Sequence, residues 1–351
     1  MDPEGSNTMS ITNQQTANRS VNVDPTIPAP MVNVADYGFE GRFEDWAEDA
    51  RYFEYSRAAN PIGSGFTPKI PIIKFSPELY MDEPTGIVPL DLSQQLGIKT
   101  GEATSPGLLA NFARIRAGEQ IDTAVNATSQ LYYMLYGRGF AAVDGRLIKW
   151  EKGDFLTLPA GSRAMFYADA EAAMYWVHDA PLLRYLGAEA REPKFRPTKF
   201  RRADAVAKLE EIASRPGAND KSRVSVLLAN AEEEQTLTIT HVLWAMFGVL
   251  PGGQEQLPHR HQSVALDLIL DAPQGCYTLL GTRVEHGKIV DPIRVDWEAG
   301  GAFVTPPGMW HAHFNESGAP AHLIPVQDAG LQTYLRSLDI RFTNRRDLIA
   351  G

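Results

Sequence analysis

The chain has 351 residues, 44% of them hydrophobic and 22% charged, with a formal net charge of −10. That is enough sequence for two domains with real cores. With this acidic balance and no long basic run, no nucleic acid partner is expected, because affinity for a phosphate backbone needs clustered Lys and Arg. No apolar run approaches the ~20 residues needed to span a bilayer. The single cysteine, Cys276, excludes an intrachain disulfide, and nothing implies an oxidising compartment.

Residues 1–30 are polar and rich in Asn, Gln, Thr and Pro, with no apolar core of a signal peptide. They are expected to form a disordered tail, and the chain is expected to be cytoplasmic. Residues 31–105 are expected to form an N-terminal arm. Its first part is helix-like (Phe43, Trp46, Ala47, Ala50, Phe53, Glu54), and recurrent prolines then keep it extended.

Short strands follow over residues 106–185. The stretch 131–136 is apolar and aromatic, and 139–143 and 146–150 flank Asp144-Gly145, a strong hairpin signal. Strands are also expected at 155–158 and 174–177, which together suggest a small barrel. Residues 186–235 read as a linker with a helix over 203–214, ended by Pro216-Gly217. The strand pattern returns over 236–328, at 237–249, 266–270, 277–280, 302–305 and 322–326. Residues 329–351 form a C-terminal segment.

The glycines expose a duplication. Gly118 precedes Ala124, Val125 and Asn126 after five residues, as Gly253 precedes His259, Arg260 and His261. Gly153 precedes Pro159, Gly161 and Ala164 with the spacing by which Gly300 precedes Pro306, Gly308 and His311. Only the second copy carries histidines. Residues two apart on a strand share a face, so His259 with His261, and His311 with His313, can aim imidazoles into one cavity.

This frame resembles the cupin superfamily. Gly300, Pro306, Gly308, His311 and Asn315 match its second motif at every named position. Gly253, His259 and His261 match the start of its first, while the glutamate position near Ala265 or Leu266 holds no acid. The resemblance implies an all-β bicupin of two double-stranded, jelly-roll barrels, the first degenerate. Within that superfamily, 258–261, 275–278 with Arg283, and 305–313 look like gentisate and salicylate 1,2-dioxygenases, and 103–106 is similar to their pre-barrel region. Those enzymes also lack the motif glutamate and bind iron through three histidines. In them the metal-bearing barrel is usually the first, whereas here it is the second. A 5-nitrosalicylate-cleaving relative fits the same pattern.

The expected metal ligands are His259, His261 and His311. Three neutral imidazoles leave +2 on a divalent ion, which favours a chelating, anionic substrate such as a salicylate. A facial set with open positions suits non-haem Fe(II), although zinc accepts the same donors. His313, one pleat beyond His311, is expected to act as an acid/base or hydrogen-bond donor, or else to be a polar rim residue. Arg283 matches a substrate-carboxylate arginine of the resembled family, and a solvated strand end is its other reading. Gln262, Phe247 and Trp310 lie near the motif strands as substrate-contact candidates, with core packing the alternative for Phe247 and Trp310.

The expectation is an Fe(II)-dependent extradiol-type dioxygenase of aromatic catabolism. It would insert O2 between the carboxyl- and hydroxyl-bearing carbons of a small aromatic hydroxy acid (salicylate, gentisate or 5-nitrosalicylate) and would assemble as a homotetramer. A metal-dependent cupin isomerase or hydrolase acting without O2 is the alternative.

Overall fold

The structure is a computed structural model and describes residues 46–217 and 224–343. The tail expected over residues 1–30, the arm up to residue 45 and the last eight residues, 344–351, lie outside the described residues. The chain divides into two compact units at Ala58/Ala59. In the described part of the first unit, the helix-like stretch yields only a turn at 46–49 and a short helix, Tyr55–Ala58, whose residues bury nothing.

The second unit holds two pairs of sheets with matching strand order. One six-stranded sheet runs Thr198–Phe200, Phe155–Pro159, Ser129–Tyr136, Ala172–His178, Leu109–Ile115, Gly86–Pro89. The other runs Lys74–Phe75, Ala302–Thr305, Ala265–Asp271, Ala321–Gln327, Trp244–Leu250, Val224–Leu228. The four inner strands of each correspond in order, and so do four strands of the smaller sheets. Gln120–Asp122, Ala164–Ala168, Arg138–Val143 and Arg146–Glu151 match Gln254–Arg260, Trp310–Asn315, Cys276–Gly281 and Ile293–Asp296. The duplication legible in the glycine spacing is thus a duplication of topology.

Each six-stranded sheet packs one face on its smaller partner and the other on the opposite six-stranded sheet. Tyr132, Met134 and Trp176 meet Ala141, Val143 and Phe166 inside the first pair. Ile269, Phe303 and Leu323 meet Cys276, Leu280 and Val295 inside the second. Phe112, Tyr133 and Tyr175 pack with Ala245, Leu266 and Ile324 between the pairs. Burial on both faces explains why Ala172–His178 is buried at every position and reads as a continuous apolar run rather than an alternation. By contrast, Arg146–Glu151 is an edge strand and is mostly exposed. No ladder among the described residues joins a six-stranded sheet to its smaller partner, so the expected barrels take the form of paired open sheets.

The arm and linker stitch the pairs together. Lys74–Phe75 adds to the second large sheet and Gly86–Pro89 to the first. In the linker, Thr198–Phe200 adds to the first and Val224–Leu228 to the second. The linker helix is Arg202–Ala213 and ends before Pro216-Gly217. Asp144 and Gly145 both take positive φ (48° and 75°) between paired Val143 and Arg146, as a two-residue hairpin requires. The long strand expected over 237–249 is shorter, Trp244–Leu250. Ahead of it Leu237 takes φ 54°, and Thr240 turns its hydroxyl back to the Leu243 amide, so the backbone donors are spent on turns. No helix among the described residues is long and apolar enough to cross a membrane.

Candidate metal centre

The motif histidines converge inside the second pair of sheets. His259 lies near the end of Gln254–Arg260 and stands opposite His311 of Trp310–Asn315. On the other side, Cys276–Gly281 places Leu280 opposite His311 and Thr278 opposite His313. The register between Gln256 and His259 is irregular. Pro258 lies in that interval and cannot donate to the ladder.

His259, His261, His311 and His313 are each at most 5% exposed. Ring centroids lie 4.0 Å apart for His259 and His311, and 4.9 Å for His261 and His311. His313 is 5.7 Å from both His259 and His311. Four buried imidazoles in one cluster with no carboxylate at the motif position form a donor set suited to a divalent metal.

Proximity and hydrogen bonding select different trios. The nitrogens of His259, His311 and His313 lie within 4.8 Å of one another, so proximity brings His313 into the cluster and leaves His261 outside. Hydrogen bonding groups the rings otherwise. Nδ1 of His259 meets the Leu257 carbonyl at 3.0 Å, that of His261 the Ser263 carbonyl at 2.8 Å, and that of His311 the Met309 carbonyl at 3.0 Å. A carbonyl only accepts, so each Nδ1 carries the proton and each Nε2 carries the lone pair. Such a backbone bond is the usual partner of a metal-ligating imidazole. Nδ1 of His313 instead meets the Thr278 hydroxyl at 2.8 Å, which also accepts the Trp297 indole N–H at 2.8 Å. A hydroxyl can donate, so His313 is not held to the tautomer of the other three. The two groupings share His259 and His311 and differ over His261 and His313.

Ser263 and Gln256 extend the site. The Ser263 hydroxyl donates to Gln327 Oε1 at 2.8 Å, beside His261. Gln256 Nε2 lies 3.4 Å from His259 Nε2. Ser263, Thr278, Trp297 and Gln256 escape sequence reading because each faces the cluster from a different strand or turn. Asn315, the last motif residue, shapes the turn after its strand. Its amide donates to the carbonyls of Leu250 and Ala319 at 2.9 and 2.8 Å.

The other expected contacts fall in different places. Gln262 follows His261 and lies against Gly308, whose amide donates to the His261 carbonyl at 2.7 Å. Trp310 is on the opposite face of its strand from His311 and packs under Arg260 at 5.2 Å. Strand alternation alone places it outside. Phe247 lies between the two sheet pairs and stacks on His322, away from the histidine cluster. Arg283 sits beyond Gly281 on an exposed hairpin, where it bridges Glu285 at 2.9 Å and Asp291 at 3.9 Å. Its guanidinium is engaged by neighbouring acids rather than by the cluster.

The first pair of sheets cannot repeat this chemistry. Gln130 stands opposite His178 as Ala265 stands opposite Gln327, so Tyr132 corresponds to Asp267 and Trp176 to Pro325. The motif spacing sets Phe166 against His313. Tyr132 stacks on Trp176 (5.6 Å, 6°) and packs on Phe166 at 4.8 Å, filling the interior. Ala124 and Asn126 are exposed, beyond the strand Gln120–Asp122, and Asn126 is tied to Ala188 and Ala190 of the linker. The combined variant Ala124→His, Asn126→His, Ala164→His is therefore expected to bind no additional metal. Metal analysis of the loaded variant should give the same stoichiometry as the parent, and a doubled value would refute this account.

The comparisons with known proteins agree with this architecture. No family model matches the chain. A crystal structure of salicylate 1,2-dioxygenase from Pseudoaminobacter salicylatoxidans with gentisate superposes with a TM-score of 0.62 at 13% identity, covering 83% of this chain and 90% of that one. The chain has the salicylate 1,2-dioxygenase fold. A second structure of that enzyme gives a TM-score of 0.58 at 13% identity, covering 79% of this chain and 89% of the other. In sequence, the chain is 32% identical over 95 residues to the 5-nitrosalicylic acid 1,2-dioxygenase of a Bradyrhizobium species. That match takes in 26% of this chain and about half (46%) of the length of the relative.

Proposed function

We propose that the chain is an Fe(II)-dependent, ring-cleaving dioxygenase of bicupin architecture, acting on a salicylate-type aromatic acid. The carrying observation is the buried four-histidine cluster without a motif carboxylate, in which three imidazoles have Nδ1 tied to backbone carbonyls. His259, His261 and His311 would hold the metal through Nε2. Bound Fe(II) would supply Lewis acidity and redox chemistry toward O2, with open positions for a chelating hydroxy acid. Three neutral ligands leave the full metal charge to attract an anion.

The protein's own part is positional. Backbone carbonyls fix three rings. The Thr278–Trp297 pair fixes His313 beside them, where it holds or moves a proton at the substrate hydroxyl. Gln262 stands at the rim as a further substrate contact. Burial of all four rings keeps bulk water from competing.

The test is oxygen uptake. Protein loaded anaerobically with Fe(II) and mixed with salicylate, gentisate or 5-nitrosalicylate is expected to consume one O2 per ring opened when air is admitted. With 18O2, both labelled atoms should appear in the product. Absence of uptake with every such acid would sink the proposal, and turnover without O2 would favour an isomerase or hydrolase.

A further inference from the structure

A second cleft, away from the four-histidine cluster, opens between the two large sheets, the arm and the linker helix, with a volume of about 790 Å³. We propose that it binds a small aromatic carboxylate, independently of the metal. The volume lies in the range of drug-sized ligand sites, which mix apolar walls with a few placed polar groups.

The polar groups sit together at one end. Tyr133 is only 6% exposed, lines the cleft and has no hydrogen-bond partner among the described residues. Its hydroxyl opens onto the cleft, where a ligand can accept from it. Lys152 and Gly153 are held beside it, because their amides donate to the Gly137 and Met134 carbonyls at 3.0 and 2.7 Å. Gly153 takes φ +89°, and a Cβ there would lie 2.1 Å from Cδ of Arg202. The glycine thus lets the Arg202 stem lie flat against the turn. The Arg202 amide donates to Asp154 Oδ1 at 3.1 Å, which fixes the start of the linker helix. Lys152 and Arg202 are exposed and make no ion pair among the described residues, so two cations and one hydroxyl line the cleft and can meet an anion there.

Four acids, Asp82, Glu171, Glu210 and Asp271, also line the cleft. Glu171 is taken by Arg114 at 2.6 Å, and Asp271 meets the His322 imidazole at 3.0 Å. Glu210 lies eight residues along the helix from Arg202, about 12 Å away at 1.5 Å per residue. Asp82 is on the arm and exposed. Beyond the donors, Phe247 and His322 are stacked at 5.9 Å and 13°, and Leu209 and Leu270 line the cleft as well. Flat and aliphatic surface beside a cluster of donors fits a planar apolar body bearing a carboxylate. A guanidinium also matches the carboxylate fork.

Isothermal titration of the full, chelator-treated chain tests this with no metal to capture the acid. The probes are 2-naphthoate and 2-naphthylmethylammonium, of similar shape and opposite charge. One naphthoate should bind per chain, and the ammonium compound should bind at least tenfold more weakly. Arg202→Gln should weaken naphthoate at least tenfold, and Leu270→Trp, which fills the cleft, should abolish binding. Unchanged circular dichroism would show that both variants remain folded. No heat with naphthoate, equal binding of the two probes, or unchanged affinity in Arg202→Gln would overturn the proposal.

Discussion

His311→Ala is expected to leave the protein folded but unable to hold its metal. His311, like His259, belongs to both trios, and its ring centroid lies 4.0 Å from that of His259 and 4.9 Å from that of His261. Removing it leaves two imidazoles of the hydrogen-bonded set. Losing an outer-shell partner alone weakens a metal site by roughly 10- to 100-fold, and loss of a ligand should exceed that. Metal content after Fe(II) loading and desalting should fall from about one per chain to below about a tenth, with oxygen uptake lost in parallel. Full retention of metal would show that the ion sits elsewhere. The neighbouring variants separate the two trios. His261→Ala is expected to lose metal like His311→Ala. His313→Ala is expected to keep it and lose turnover, because the Thr278 contact leaves that ring in another role. The opposite outcome, with metal lost in His313→Ala and kept in His261→Ala, would make proximity the better guide.

The residues whose local chemistry dictates their geometry were legible in the sequence. Asp144-Gly145 announces its turn because few other residues accept positive φ at both positions. The Gly-Pro-Gly frame announces the duplication because it marks turns that both sheet pairs need. Strand alternation turns Arg260 off the face of its histidines, and it meets Trp310 on the outside, an alternation that the substrate-contact expectation for Trp310 overlooks. Phe247 carries two readings in the sequence, substrate contact and core packing, and it lies in the core. Both faces of its strand are covered, so alternation separates two sets without saying which one meets the metal. Arg283 shows the limit of residue-by-residue transfer, since Glu285 and Asp291 on its own hairpin engage it. The Thr278–Trp297 bridge to His313 depends on side chains from separate strands and turns, which no single motif contains.

Acid should destabilise the fold through His178, and His178→Gln should remove much of that sensitivity. His178 is 2% exposed, its Nδ1 accepts the Ala180 amide at 3.3 Å, and its ring packs on Trp176 at 4.6 Å. Burial, and then the Arg184 charge, push its pKa down from 6.5 to about 3. The folded state therefore holds this ring neutral, while the unfolded chain takes up a proton below 6.5. The stability His178 contributes is present above that value and is lost as pH falls toward 3, by at most about 1.4 kcal/mol per pH unit. Asp328 acts in the opposite sense. Burial raises its pKa from 3.8 to about 6, so its contribution is present at low pH and fades as pH rises through about 6. Comparing parent and variant cancels that term. Glutamine occupies the topologically equivalent place, Gln327, in the other sheet pair. Urea midpoints of the metal-free proteins should nearly agree at pH 7. At pH 4 the variant should hold about 3 kcal/mol more of its neutral-pH stability than the parent does. Equal losses in the two proteins would show that His178 reaches water before the fold opens.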